Sequence, residues 1–278
     1  MELTEAEGLF GPGSVSWRVD RELLVLAGGS CALLMQAAHP AVAAGVAQHS
    51  TYRTDPFGRL LRTLDSSFSV VFGSRTDALG TIDRVNAIHR SVRGAIPESG
   101  HAYSALDPEA LLWVHATLVD TALRVYEGWV APLSAREREA YHRESAEVAL
   151  RLGVPAAAMP PSLAELRTWM NARIADGTIH VTPTAREVAA TILRPMRIVP
   201  GLAWDAAHLV SLSTLHPDLR RDYGIRWSDR RQAGAERMAR WSRGALRYVP
   251  RFVRDAPSAR AAERRVRHAA RLVVRSTG

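Results

Sequence analysis

The sequence predicts an all-α protein, a single globular multi-helix domain, and three observations carry that expectation. Aromatic residues make up only 6% of the 278, while alanine, leucine, valine and arginine dominate, a composition that favours helix over sheet. Helix-start signatures recur along the chain: Asp107-Pro108, Ser134-x-x-Glu137, Ser162-x-x-Glu165 and Thr184-x-x-Glu187. Each pairs a capping side chain with a proline at the first helical position or a glutamate three residues on. Alternating strand patterns are short and few.

Taken in order, residues 20–38 and 41–50 read as two apolar helical stretches hinged at His39-Pro40, since proline removes a donor and restricts the residue before it. Residues 23–47 are long enough to cross a bilayer. Gly28-Gly29, Pro40 and Gly45 interrupt them, however, and His39 would lie deep in lipid, so a buried helix pair is expected. After a turn at Asp55-Pro56 comes 57–72, ending near Gly73. Thr76 or Thr81 opens the helix that carries His89 and stops at Gly94, and 95–106 reads as a loop. Then come 108–130, 135–152 closed by Gly153, and 163–176 closed by Gly177. Helix 184–194 is followed, past Pro195 and Pro200, by 202–215, a His216-Pro217 turn, and 229–248 capped by Ser228. The last helix, 258–275, has Val266, Ala269, Ala270 and Val273 at helical spacing. With no linker or repeat, residues 1–278 are read as one domain, with 256–278 a basic C-terminal helix.

Charge is unevenly spread. Residues 1–184 hold 16 arginines against 20 acids, a net of −4, whereas 185–278 hold 20 against 8, a net of +12. The basic third is read first as a solvated helical surface, with weak contact to an anionic membrane as the alternative. No specific nucleic-acid recognition is expected, because Trp227, Trp241 and Tyr248 have the spacing of a core stripe. The single cysteine, Cys31, excludes an intrachain disulfide. With an acidic N-terminus (MELTEAEGLF), it makes a cytoplasmic location the expectation. No HExxH, CxxC, GxGxxG, Walker or GxSxG pattern occurs. A di-iron bundle would need paired Glu-x-x-His motifs, and Glu139-x-x-His142 stands without a second copy.

The chemistry concentrates in residues 36–63, QAAHPAVAAGVAQHSTYRTDPFGRLLRT, and in the helix that follows. An apolar small-residue stretch carries His39 and His49, and the next helix bears Arg59, Arg62 and Thr63 on one face. Imidazoles on one side of a dry pocket and guanidinium groups on the other suit a redox cofactor with anionic arms, and haem is the candidate.

These motifs, with IHRSVRG (88–94), YSALDPEALLWVHATLVDTALRVYE (103–127), GVP at 153–155 and HP at 216–217 leading into YGI (223–225), resemble one family throughout. It is the bacterial and fungal group that contains the rubber oxygenase catalytic domain (latex clearing protein) and the ER-bound oxygenase of mycophenolic acid biosynthesis. The resemblance runs from about residue 14 to about residue 250. In latex clearing proteins a histidine on the helix matching that of His89 is the proximal haem ligand, which implies His89 as the iron ligand here. Arg59 and Thr63 match the distal helix. Position 62 departs from it, because arginine stands where the family member has a lysine able to reach the sixth iron position, and a guanidinium has no lone pair to give. His115 is the main rival ligand or the opposite axial ligand, His39 is a third candidate, and Arg59 and Arg93 are candidate cofactor contacts.

The resemblance therefore implies helices packed around a buried haem b pocket. Its expected activity is oxidation of a small hydrophobic, unsaturated or prenyl-like substrate by O2, with an electron donor that no motif specifies. The alternative is a non-catalytic haem sensor or carrier with bis-histidine ligation.

Overall fold

The computed structural model describes residues 3–193 and 201–276. In chain order the helices are α1 (Val15–Asp20), α2 (Gly29–Ala37), α3 (Pro40–His49), α4 (Pro56–Phe72), α5 (Arg75–Ser91), α6 (Pro108–Val125) and α7 (Ala135–Arg151). After these come α8 (Leu163–Ala175), α9 (Pro183–Ile192), α10 (Gly201–Thr214), α11 (Pro217–Asp222), α12 (Asp229–Leu246), α13 (Arg251–Arg254) and α14 (Pro257–Ser276). Between α5 and α6 a two-stranded antiparallel ribbon pairs β1 (Arg93–Ala95) with β2 (Ala102–Ser104), Gly94 opposite Tyr103. The fold is all-α.

Helix α6 organises the core. Asp107 caps it by accepting from the Ala110 amide at 2.9 Å, and Pro108 occupies its first position. Apolar residues cover most of its circumference, as expected of a helix surrounded by others. Trp113, fully buried, donates its indole N–H to the Met35 carbonyl at 2.8 Å and so ties α6 to α2. The turn Leu23–Gly28 approaches α6 so closely that a Cβ on Gly28 would meet Val125 Cγ2 at 2.7 Å. At its end α6 widens into a π turn, Tyr126–Val130. The carbonyls this exposes are taken by α12: Arg243 donates to Glu127 and Gly128, and the Ser242 hydroxyl to Trp129 at 2.8 Å.

The two ends of the chain are clasped by buried charges. Arg21 donates to Asp255 at 2.6 Å and to Glu263 at 2.7 Å, and Arg254 pairs with Glu22. Beside this clasp α14 places Ala259 and Ala262 against Trp17 and Phe72, whose rings meet edge to face at 5.5 Å.

Several expected boundaries move. Residues 20–38 are not one helix: the chain breaks after Asp20, runs through the tight turn Leu23–Gly28 and restarts at Gly29. The break aims Arg21 and Glu22 at the C-terminal segment. Helix α5 starts at Arg75, because Ser74 and Asp77 cap reciprocally. Part of the loop expected over 95–106 is strand, and Thr182, not Thr184, caps α9. His216 caps a short helix that was expected to be only a turn, as Asp55 caps α4. Trp241 and Tyr248, expected in the core, are exposed. The Pro195–Pro200 segment and the Val273 side chain lie outside the described residues.

The segments Leu23–Ala37 and Pro40–His49 meet at a 105° bend, and no single helix among the described residues is long and apolar enough to cross a membrane.

Candidate functional site

Helices α4 and α5 form an antiparallel hairpin joined at Gly73-Ser74 and pinned by the Ser69–Thr81 hydroxyl pair at 2.8 Å. Arg59 and His89 lie at similar distances from that turn, roughly 20 Å at 1.5 Å per residue, so the hairpin brings them to its open end. The C-terminal half of α4 is anchored by Phe68 and Phe72 in the core. At the open end Leu61 is 49% and Ile88 60% exposed, apolar surface with nothing over it among the described residues.

On α5 the buried Ala78 and Ile82, then Val85 and His89, recur at i, i+4, i+7 and i+11, so the imidazole continues the inward stripe. His89 Nδ1 is buried with no partner. Burial also pushes the pKa of the ring below its ordinary value, so the imidazole is neutral and keeps a lone pair. Arg59 is half-buried and forms no ion pair among the described residues. Burial, then the neighbouring Arg62, lowers its pKa, which marks a cation short of an anion.

Arg62 is exposed, bound to Asp55 and to the Thr51 hydroxyl, both at 3.0 Å. The Thr63 hydroxyl donates to the Arg59 carbonyl at 2.9 Å, leaving oxygen lone pairs but no free proton. Arg93 is exposed on β1, and its carbonyl lies 3.2 Å from His49 Nε2.

The other two histidines differ from one another. His39 caps α3, its Nδ1 accepting from the Ala41 amide at 3.2 Å. That lone pair is spent and the ring proton sits on Nε2, so a metal bond would require the other tautomer. His115 Nε2 is buried without a partner, and its pKa is pushed down to about 4 by burial and then by the nearby His142. His142 Nε2 lies 2.9 Å from the Pro160 carbonyl and so carries the proton, which leaves its Nδ1 lone pair buried and unpartnered. In the sequence His142 stands out only as half of the solitary Glu139-x-x-His142. His89 and His115 stand on different helices that lean on the same end of α7. Asn86 donates to the Arg151 carbonyl at 2.9 Å, and Leu111 packs beside Gly153.

The hairpin's open end offers two of the groups an iron porphyrin needs: a neutral imidazole with an orphaned nitrogen, and an unpaired half-buried guanidinium for a carboxylate arm. Among the described residues no group of three or more His, Cys, Asp or Glu is arranged to hold a bare metal ion.

A separate concavity of about 380 Å³ lies between α6, α8, α10 and α12. Asp120, buried on α6, accepts from Arg124 at 2.6 Å and Arg167 at 2.7 Å, and Met170, Arg220 and Trp227 complete the wall. Asp120 and Arg124 stand roughly 140° and 180° around α6 from His115, so this cleft opens on the opposite side of that helix. Its arginines match no motif in the sequence. The i, i+4 spacing of Asp120 and Arg124 was the available clue.

An all-α domain is what these elements constitute. The chain belongs to the family described as ER-bound oxygenase mpaB/B'/Rubber oxygenase, catalytic domain, whose model matches residues 17–244. It is therefore an oxygenase-family enzyme. It is also 25% identical over 233 residues to uncharacterised proteins of Mycobacterium bovis and of Mycobacterium tuberculosis, covering 80% of this chain and 87% of each relative. No solved structure is detectably similar.

Proposed function

We propose that the chain is a haem b-dependent oxygenase acting on a small hydrophobic, unsaturated or prenyl-like substrate with O2. The observation that carries this reading is the His89 ring: neutral, inward-facing, with a buried nitrogen that nothing satisfies, at the hairpin end that also holds an unpaired Arg59. A buried polar atom without a partner costs about 1–3 kcal/mol, a cost that a bound cofactor would remove. His89 would ligate the iron. Arg59 would neutralise a propionate. Haem, when bound, supplies the redox-active iron for chemistry with dioxygen.

The remaining assignments concern the chain's own groups. Arg62, held by Asp55 and Thr51, keeps its charge at the rim and can donate but not ligate. Thr63 fixes the Arg59 turn through its carbonyl and offers only an acceptor. The apolar stretch 24–48 and the facing parts of 111–123 offer little wall to a substrate, since Leu34, Met35, Leu112 and Trp113 bury one another. Substrate would instead approach over the exposed apolar surface of the hairpin end.

A hemin titration of the apoprotein followed by a pyridine haemochrome assay tests the reading. Wild type should bind one haem per chain, His89→Ala should lose it, and His115→Ala should retain it. Retention by His89→Ala with loss in His115→Ala would reassign the ligand to α6, and a colourless wild type would end the proposal.

A further inference from the structure

The stretch Arg237–Arg254 contains six arginines and no acidic residue. Two of the six are turned inward: Arg243 to the π-turn carbonyls and Arg254 to Glu22. Arg237, Arg240, Arg247 and Arg251 face solvent, and among the described residues only Arg251 of these comes within 4.0 Å of a carboxylate, that of Asp255, which Arg21 already holds. Among these cations the chain displays Trp241, Tyr248, Phe252 and Val253, which are 73%, 76%, 66% and 53% exposed. Met238 stands one turn before Trp241 on the same side of α12 and is exposed as well. Large exposed apolar side chains in a cluster mark a surface that meets something.

We propose that the α12–α13 corner is a peripheral membrane-docking surface that inserts Trp241, Tyr248 and Phe252 into the interface of an anionic bilayer, with the arginines on lipid headgroups. Charge complementarity selects this occupant. A second copy of the same face would set four solvent-facing arginines against four. An acidic leaflet neutralises them, and amphipathic rings are suited to the headgroup level. A second observation lies beside Phe252: a concavity of about 250 Å³ lined by Arg251, Arg260, Arg264 and Arg267. Its acids, Asp255 and Glu263, are both already bound to Arg21. It can take a headgroup phosphate while the acyl chains run past Phe252 and Val253. A chain whose substrate is apolar would thereby be held where such substrates dissolve.

The test is co-sedimentation of the full chain with vesicles of phosphatidylcholine alone or mixed with phosphatidylglycerol. Binding should require the anionic lipid and should fall steeply as salt rises from about 0.1 M to about 1 M, where the Debye length shrinks from about 10 to about 3 Å. Arg240→Gln with Arg247→Gln should lower the partition coefficient roughly 30-fold, and the triple variant Trp241→Ala, Tyr248→Ala, Phe252→Ala should lower it by about tenfold or more. All these side chains are exposed, so circular dichroism and melting temperature should not change. Four results would each overturn the proposal: equal binding to neutral vesicles, variants that bind like wild type, preference for an oligonucleotide over the vesicles, or a concentration-dependent dimer abolished by the triple variant.

Discussion

Replacing His115 with leucine should remove an acid sensitivity from the folded protein. In the wild type the pKa of this ring is pushed down to about 4 by burial and by His142, with its Nε2 sealed from water. In the unfolded chain it titrates near 6.5. Between those values the unfolded state binds a proton that the native state refuses, so ν_U exceeds ν_N and stability rises with pH. The contribution is complete above about pH 6.5 and is lost as pH falls toward 4. Two and a half pH units at about 1.4 kcal/mol each give roughly 3.5 kcal/mol at the acid limit. At neutral pH the leucine should be neutral or stabilising by about 1 kcal/mol, because it removes an unsatisfied nitrogen while keeping the volume apolar. Urea unfolding of both apoproteins at pH 7, 5.5 and 4.5 measures the difference. The variant should gain on the wild type at each acid step. Parallel curves within about 0.5 kcal/mol would show that the ring is solvated, and a leucine penalty above about 2 kcal/mol at pH 7 would show that Nε2 has a structural partner.

Three further outcomes follow from the packing. Asp120→Asn should cost about 2 kcal/mol by stranding the Arg124 and Arg167 pair, whereas Arg124→Gln should cost about 0.5 kcal/mol because Arg167 still satisfies the carboxylate; chemical denaturation separates the two. Asp20 has its pKa raised to about 7 by burial, against the Tyr141 hydroxyl that donates to it at 2.8 Å. The Asp20 contribution to stability should therefore be lost as pH rises from about 4 to about 7, and Asp20→Asn should gain on wild type over that range in thermal melts, with parallel pH profiles refuting the burial effect. Ser74→Ala should weaken the α4–α5 hairpin by about 1 kcal/mol, with earlier proteolytic cleavage around residues 73–75, and Ser74→Thr should restore it.

What could be read from the sequence was what local chemistry decides. Asp107-Pro108, Ser134 with Glu137, and Ser162 with Glu165 cap the helices they were expected to cap, because a capping bond spans three residues and needs no tertiary partner. The break after Asp20 was invisible because its cause, Arg21 reaching Asp255, lies 234 residues away in sequence. Trp241 and Tyr248 show the same limit: spacing places them on one side of a helix, but only the packing of α12 on the π turn decides which side faces water. At the candidate site the residue types and their order were legible, and so was the departure at Arg62. The unpaired nitrogens of His89 and His115, the capping use of His39 and the His115–His142 neighbourhood required three dimensions. They depend on which atoms of other helices arrive, or fail to arrive, beside each ring.

The most direct test of the account uses His89→Gly, mixed with hemin in the presence and absence of free imidazole. If the ring at position 89 is the iron ligand, the variant should bind hemin weakly alone and recover the wild-type Soret spectrum when imidazole fills the vacated space. Wild-type spectrum and affinity in His89→Gly without imidazole would contradict it.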